Sequence, residues 1–461
     1  MYQDERGVPF TAANDEAAAH FNAALDSFFK YKIDLGDHIK AALGADPEMP
    51  MGNIMRGYMM MSMGTQGTVP AARKSLAAAQ AAASRADQRE RGHITALGLW
   101  SEGDRVGANQ AFEELLRAQP HDLLALKLVN FNYFWQGDRA NMLESVARVL
   151  PAWWEGEPGY GYLLGMQAFG MEECGDYEAA ERAGRRAVEM HAGDHWAVHA
   201  VAHVMEMQNR QSEGVAWLDG LKKNWAGCNN FVVHLWWHRA LFHLEMDQNE
   251  QVLALYDEQI RKEESDFYLD LQNAISLLWR LQLRGLDVGE RWAELGDKSA
   301  MRIDDPMLPF SDIHFVMALT ACGRVEEARQ LIDVRRDFAA TSNSTYGPVY
   351  GEVGVPVYDA LLAFEDGRYG EAVALLKGVW DILHHTGGSH AQRDVIALTM
   401  IEAALRGEQY ETAREWLAER TRHKAGCAHS WRIYAKALEG CGDSAGAQAA
   451  LDKARALPGA G

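Results

Sequence analysis

The sequence lacks the features of several large protein classes. Its 461 residues contain five cysteines, scattered along the chain without a CxxC pair. An odd, scattered set argues against a disulfide framework and indicates a reducing compartment. No uninterrupted apolar run approaches the roughly 20 residues that a membrane-spanning helix needs, and the N-terminal MYQDERGVPF has no apolar signal core. We therefore expect a cytoplasmic protein.

Positive charge is also scarce. The 45 Lys and Arg residues are outnumbered by 65 Asp and Glu residues, so the formal net charge is −20. Nucleic acid and anionic membranes bind to basic surfaces, so we expect neither as a partner. The remaining partner classes are a small-molecule ligand and another protein. The oligomeric state stays open.

Strand signals are nearly absent, whereas one helical unit recurs. The unit is an amphipathic helix, a short turn, and a second helix rich in Ala and Glu. Most of its turns follow one another at 34 to 44 residues, with one gap of 75. A helix-turn-helix with a period of about 34 residues is the tetratricopeptide repeat, so we predict an all-α fold of helical hairpins stacked into a superhelix. The predicted turn residues are Gly103, Gly137, Gly175, Asn209, Gln248, Gly323, Gly367, Glu408 and Gly442.

The two ends of the chain differ in their regularity. Residues 1–98 keep the helical character but lose the clean period. Terminal repeats are often atypical because they cap the array. We therefore predict an N-terminal helical cap over 1–98 and a repeat array over 99–461. The stretch 339–356 (AATSNSTYGPVYGEVGVP) is expected to form a long loop.

Seven segments resemble those of one family in the same order along nearly the whole chain. They are DLLALKL (122–128), WAVHAVAHVMEM (196–207), HLWWHRAL (234–241), WRLQLRGLDVGERW (279–292), FSDIHFVMA (310–318), VGVPV (353–357) and GGSHAQRDV (387–395). On these segments the chain resembles the tetratricopeptide repeat protein 38 family. The resemblance implies an all-helical repeat fold, and it implies no reaction.

Histidines recur at matched positions of neighbouring hairpins. His199 and His238 each lie ten residues before their turn residue, and His314 lies nine before its own. His203 and His234 complete two i, i+4 pairs, which share a helix face. The first helix of each hairpin lines the concave side of such an array, so we expect these five imidazoles to converge on one pocket and to carry its chemistry.

Two kinds of site fit this pattern. The histidines could hold a divalent metal with a carboxylate such as Asp312 or Glu206. They could also act without a metal, one imidazole being oriented by a carboxylate. The sequence has no HExxH motif and no Cys/His cluster, which favours a site without a cofactor. Nearby aromatics such as Trp237 would wall an organic ligand. The alternative is that the histidines are buried structural residues.

The segment GGSHAQRD suggests a second part of the same pocket. Ser389 is placed to cap a helix, and the N–H groups at a helix start suit an anion. Arg393 suits a carboxylate ligand, and His390 and Asp394 lie beside it. The alternative is a capped helix start with an Arg–Asp pair.

These patterns favour a protein that binds a small molecule in a His-rich pocket, with hydrolytic or other acid/base chemistry as one outcome. The alternative is a protein-interaction scaffold of the tetratricopeptide class without catalysis. The sequence leaves open whether any reaction is catalysed.

Overall fold

Residues with a left-handed backbone set the turns of the helical hairpins. A computed structural model of the chain describes residues 1–457. Eight of the nine predicted turn residues have positive φ angles, between 56° and 90°. At the ninth turn the left-handed residue is Asp247 (φ 57°) and not Gln248. Gly285 (φ 79°) supplies a further turn inside the 75-residue gap, so that gap contains an additional hairpin.

At several turns one residue pair ends a helix and begins the next. Gly-Asp occurs at four of them, where the glycine adopts the left-handed conformation and the aspartate is the N-cap of the following helix. Each aspartate accepts a hydrogen bond from the backbone N–H three residues on, which satisfies an otherwise unpaired donor. The local sequence therefore fixes where both helices of the hairpin meet. The four pairs begin at Gly103, Gly137, Gly175 and Gly442.

The chain divides into two compact units. The first comprises Met1–Val201, Lys223–Val232 and Thr341–Gly347, and the second comprises Ala202–Lys222, Val233–Ala340 and the chain from Pro348 onward. The first unit contains α1 (Asp15–Phe29), α2 (Leu35–Ala45), α3 (Pro50–Ser62), α4 (Val69–Ala81), α5 (Gln88–Ser101), α6 (Arg105–Ala118), α7 (Leu123–Gln136), α8 (Arg139–Val149), α9 (Tyr160–Glu173) and α10 (Tyr177–Met190). Consecutive members pack as the hairpins α1/α2, α3/α4, α5/α6, α7/α8 and α9/α10.

Within residues 1–457 four helices have residues in both units. They are α11 (His195–Met207), α13 (Phe231–Glu245), α18 (Val325–Thr341) and α19 (Tyr346–Val349). The second unit further contains α12 (Gln211–Leu221), α14 (Asn249–Leu255), α15 (Tyr268–Leu283), α16 (Trp292–Ala300), α17 (Pro309–Ala321), α20 (Val355–Glu365), α21 (Tyr369–Val379), α22 (His390–Arg406), α23 (Tyr410–His423), α24 (Ala428–Gly440) and α25 (Ser444–Arg455). The last three hairpins are α20/α21, α22/α23 and α24/α25.

Extended structure is confined to the N-terminus. Strands β1 (Tyr2–Gln3) and β2 (Pro9–Phe10) form a two-stranded antiparallel sheet in which Tyr2 lies opposite Phe10. Within residues 1–457 the only other pairing is an isolated bridge between Lys32 and Cys228. The predicted all-α class is therefore confirmed. Across the same part of the chain no helix combines the length and apolar character needed to cross a bilayer.

The predicted cap and array meet within a helix. Helix α5 spans the boundary at 98/99, and it pairs with α6 as the hairpins on either side pair. The division into cap and array stays a prediction.

The expected loop over 339–356 is wrong. This stretch contains the end of α18, all of α19, one π-helical turn (Tyr350–Gly354) and the start of α20. Tyr350 is buried, and its hydroxyl donates to Asp312 Oδ2 at 2.7 Å. This buried hydrogen bond holds the segment against the hairpin that precedes it. The turn-forming residues of the segment give no sign of this contact in the sequence.

Two glycines of the α20/α21 hairpin allow a test of the left-handed turns. A Cβ atom added to either glycine would enter open space, with no packing neighbour within 4 Å, but Gly367 has a φ of +75° and Gly378 lies within the helix. We expect Gly367→Ala to lower the free energy of unfolding by about 1–2 kcal/mol, because a Cβ disfavours this backbone conformation. Gly378→Ala should raise it by about 0.5–1 kcal/mol through helix propensity.

Urea denaturation of the wild type and of both variants measures these changes in the free energy of unfolding. Equal effects on the two free energies of unfolding would show that the backbone angle at Gly367 does not matter.

Candidate functional site

Three histidines of the second unit meet in its interior. His203 lies on α11, and His234 and His238 lie one turn apart on α13. Each offers a ring nitrogen within 4.8 Å of those of the other two. The ring centroids of His203 and His238 are 4.5 Å apart, and those of His234 and His238 are 4.7 Å apart. All three side chains are buried. We call these three residues the histidine cluster.

Two polar side chains orient the rings of the cluster. Glu206, three residues after His203 on α11, has its Oε2 at 3.1 Å from His238 Nδ1. Asn273 on α15 has its Oδ1 at 2.8 Å from His234 Nδ1. Both oxygens are acceptors, so each ring carries its proton on Nδ1 and turns Nε2 away from these partners. The arrangement fixes both tautomers.

Burial favours the neutral form of two imidazoles of the cluster. Burial lowers the pKa of His234 and His238 well below the usual range, and the neighbouring imidazoles lower both further. Burial also raises the pKa of Glu206. Glu206 Oε2 contacts His238 Nδ1 at 3.1 Å, and Lys424, whose Nζ is 3.7 Å from Glu206 Oε1, opposes the effect of burial on this carboxyl group.

Trp237 packs against the cluster. Its ring stacks on His234 at a centroid distance of 5.1 Å and meets His238 edge-on at 4.8 Å. Its Nε1 donates to Ser276 Oγ at 3.0 Å. Trp237 therefore links α13 to α15, and its predicted part as a wall for an organic ligand stays a prediction.

His199 lies one turn before His203 on α11 but belongs to the first unit. Its ring packs among Phe169, Trp196 and Phe231, with centroid distances of 5.2–5.3 Å. We therefore build the site from the three histidines of the second unit. The role predicted for His199 stays a prediction.

His314 and Asp312 are held by other partners. The Nδ1 of His314 donates to the Phe310 carbonyl at 2.9 Å, and burial lowers the pKa of this ring to about 4. Asp312 accepts two hydrogen bonds from Arg335, at 2.8 and 2.9 Å, besides that from Tyr350. Both members of this ion pair are buried. These contacts give Asp312 a structural part, and its predicted catalytic role stays a prediction.

The segment GGSHAQRD forms a capped helix start. Ser389 Oγ accepts from Gln392 N, and Gln392 Oε1 accepts from Ser389 N, so the two form a capping box. These bonds already occupy two of the N–H groups expected to bind an anion. Arg393 donates to the carbonyls of Gly387 and Gly388. His390 is half-buried at the first position of α22. The predicted ligand role of this segment stays a prediction.

Asp394 joins a buried network of charges instead of pairing with Arg393. Its Oδ1 is 2.6 Å from Arg420 Nη1, and its Oδ2 is 3.8 Å from Lys424 Nζ. Lys424 also lies 3.7 Å from Glu206 Oε1. Glu245, at the end of α13, lies 3.6 Å from Arg420. The network therefore connects α11, α13, α22 and α23 through charged side chains.

Sequence reasoning missed several residues around the cluster. Asn273 and Arg280 lie on α15, where the polar residues of LQNAISLLWRLQL were not assigned a role. Their spacing of seven, two helical turns, was the available signal. Glu245, Arg420 and Lys424 had no signal of this kind, because charged residues in a repeat helix are usually exposed.

Comparison with protein-family models finds no match. Solved structures with a related arrangement include the human IFIT1 dimer with m7Gppp-AAAA, with a TM-score of 0.42 and 12% identity over 96% of this chain and 95% of that one. They also include yeast Tom70, with a TM-score of 0.34 and 12% identity over 96% and 92%. The P58(IPK) TPR domain gives a TM-score of 0.22 and 12% identity over 80% and 93%.

The hairpins themselves make this chain a tetratricopeptide-like helical-repeat protein. We transfer no ligand or partner from these structures, and the expected absence of a nucleic-acid partner stays a prediction.

The buried pair of Asp312 and Arg335 predicts a large stability effect. Asp312→Asn should lower the free energy of unfolding by about 3–5 kcal/mol, because the Arg335 charge stays buried without its carboxylate. Asp359→Asn is a matched control, since Asp359 accepts two hydrogen bonds from the exposed Arg336. Its cost should be below about 1 kcal/mol. Chemical denaturation compares the variants, and similar costs would contradict a structural role for Asp312.

The charge network predicts a loss of stability in acid. Burial opposes ionisation of Glu245, but Lys424, Arg420 and Arg284 lower its pKa from 4.5 to about 2. A carboxylate whose pKa is lower in the folded state stabilises the fold above its unfolded pKa. This contribution should be lost as the pH falls from about 4.5 to about 2. Glu245→Gln should flatten the dependence of the unfolding free energy on pH in that window, and an unchanged slope would contradict the assignment.

Proposed function

We propose that the second unit binds a zinc-class divalent ion through His203, His234 and His238 and that the ion holds a small-molecule ligand. The observation that carries the proposal is the cluster together with its orienting partners. Histidine ligands of a metal commonly donate their second ring N–H to a carboxylate or carbonyl oxygen. Glu206 and Asn273 contact two of the rings in this way.

The chemistry of the three donors supports zinc or a similar transition ion. Neutral imidazole is the form that binds a metal, and burial favours that form here. Tetrahedral zinc would bring ligand nitrogens to roughly 3.3 Å from one another. The ring nitrogens lie within 4.8 Å of one another, so the rings need to approach by about 1.5 Å at most.

Three protein ligands leave one position of a tetrahedral ion for water or a ligand oxygen. A bound water would ionise near pH 7, which is the basis of hydrolytic chemistry at such centres. We therefore propose ligand binding as the function and hydrolysis as the reaction class to test. The resemblance to the tetratricopeptide repeat protein 38 family belongs to this proposal and rests on the seven segments named above.

The alternative without a metal is a hydrogen-bonded pair. Glu206 would orient His238 for acid/base chemistry in the manner of a carboxylate and an imidazole. The second ring of the cluster favours the metal, because a base needs one oriented imidazole and Asn273 orients His234 as well. A protein-interaction scaffold would need no such arrangement.

Metal binding predicts a set of outcomes for purified protein. The chain should bind one zinc equivalent, and saturation at about 100 times the dissociation constant should stabilise the fold by about 2.7 kcal/mol. His238→Ala should abolish binding, and Glu206→Gln should weaken it about 10- to 100-fold. Elemental analysis and thermal unfolding with and without zinc measure both effects.

His243→Ala is the matched control. His243 lies on α13 as His234 and His238 do, and its Nδ1 contacts the side chain of Gln248 outside the cluster. This variant should keep the zinc. If the wild-type chain binds no divalent ion and its unfolding temperature does not respond to one, the proposal is wrong.

A further inference from the structure

One face of α15 points polar groups toward the histidine cluster. Asn273, Ser276 and Arg280 follow one another at i, i+3 and i+7, so they share that face. Asn273 contacts His234, and Ser276 accepts from Trp237 Nε1. The Arg280 guanidinium lies over the Trp237 ring, 5.5 Å from its centroid. Trp237 thus touches both the cluster and Arg280.

Arg280 is a buried cation with unusual partners. Its side chain is 3% exposed. Nη1 donates to the Ser276 carbonyl at 3.1 Å, and Nη2 donates to the Ala391 carbonyl at 2.9 Å. Within residues 1–457 no carboxylate oxygen lies within 4.0 Å of its nitrogens. A guanidinium has five N–H donors in a planar fork, so two carbonyls do not use its capacity.

Other cations already pair with the buried carboxylates nearby. Glu206 lies within 4 Å of Lys424, and Asp394 lies within 4 Å of Arg420. Glu245 lies 3.6 Å from both Arg284 and Arg420. Asp247 lies 2.7 Å from Arg432 and 3.0 Å from Arg284. Each of these carboxylates therefore has a cation in contact, whereas Arg280 has no carboxylate in contact in the part of the chain that the structure describes.

The pKa values of Arg280 and Arg420 differ in direction according to whether a carboxylate is in contact with the guanidinium. Burial lowers the pKa of Arg280, and the carboxylates at a distance only partly oppose it. For Arg420, burial acts in the same direction, but the contact with Asp394 raises the pKa above the usual range. A buried charge without a partner is costly, and a ligand can supply the partner.

We propose that the ligand of the histidine centre carries an anionic oxygen group, a carboxylate or a phosphate, that binds to Arg280. This inference rests on the proposed function for the metal, and it adds the class of ligand. Arginine is suited to both groups because its fork donates two parallel hydrogen bonds. Asn273 Nδ2 is buried too and has no hydrogen-bond partner among the described residues, so α15 offers a second donor for an oxygen acceptor.

Cobalt-substituted protein gives a direct test. The visible spectrum of bound Co(II) reports both metal occupancy and entry of an anion near the ion. Inorganic phosphate and acetate are the two probes. We expect at least one of them to bind to the wild-type chain, with an affinity at least tenfold lower in Arg280→Gln and intermediate in Arg280→Lys. Binding of phosphate alone or acetate alone supports the inference and identifies the group.

The control separates a local effect from net charge. Arg336→Gln removes an exposed positive charge from α18 in the same unit, and it should leave anion affinity unchanged. If Arg280 had only a structural role, Arg280→Gln would lower the unfolding temperature and leave the affinity for both anions as in the wild type. Thermal unfolding measures the first of these quantities. That pair of results overturns the inference, and Arg280→Lys provides the comparison if the Gln variant does not fold.

A chain that binds no metal and a chain that binds no anion at Arg280 would be distinguished by a second measurement. Calorimetric titration of metal-free protein with phosphate and acetate measures Arg280-dependent binding without the ion. If that binding occurs in a chain that takes up no metal, the proposed function is wrong and the inference about Arg280 stands. If the chain binds metal but neither anion binds in either form, the inference is wrong and the metal proposal stands.

Discussion

The burial of one face of each helix is the constraint on which the polar interior of this protein depends. A helical hairpin cannot bury its own apolar surface, so each one packs on its neighbours. Any polar residue on the packed face loses its water and needs a partner from another helix. Asp312, with Arg335 and Tyr350 around it, shows this requirement in full, since both carboxylate oxygens accept hydrogen bonds from elements after α17.

The same constraint separates structural from functional polar groups in the second unit. Asp312 and Arg335 satisfy each other, and their pairing explains why both are present. The histidine cluster is different, because three buried imidazoles offer ring nitrogens within reach of one another and lose their hydration on burial. Apolar side chains of similar volume would fill the same space without that cost. A buried arrangement that stability does not require is better explained by binding.

The fold could be predicted from the sequence because its signals are local. The left-handed turn residues and the N-caps lie side by side in the chain, as at Gly137 and Asp138, so they mark each hairpin directly. The loop expected over 339–356 failed because its helical state depends on Tyr350, whose partner Asp312 is distant in sequence. Local turn chemistry contains no information about that contact.

The candidate site could be predicted only where the spacing of one helix reveals a shared face. His234 and His238 are such a pair, but the matched turn positions indicated His199 on α11, whereas the ring beside His238 is that of His203, one turn further on. The sequence suggested Arg393 as a partner of Asp394 only as an alternative, and it gave no sign of Arg420, which reaches Asp394 from the next helix of the hairpin. Ion pairs between helices depend on rotation about each helix axis, which spacing alone does not fix.

The interpretation of Arg280 depends on both its spacing in the sequence and its partners in the structure. Its spacing from Asn273 places both on one face of α15, but only the three-dimensional partners show that the nearby carboxylates are already paired with other cations. Charge balance in a buried region is a stricter criterion than the identity of single residues, since an uncompensated cation raises the energy of the whole region. The buried Arg280 guanidinium, which lies over Trp237 beside the histidine cluster and has no carboxylate in contact within residues 1–457, therefore indicates the group that the site suits, an anionic oxygen.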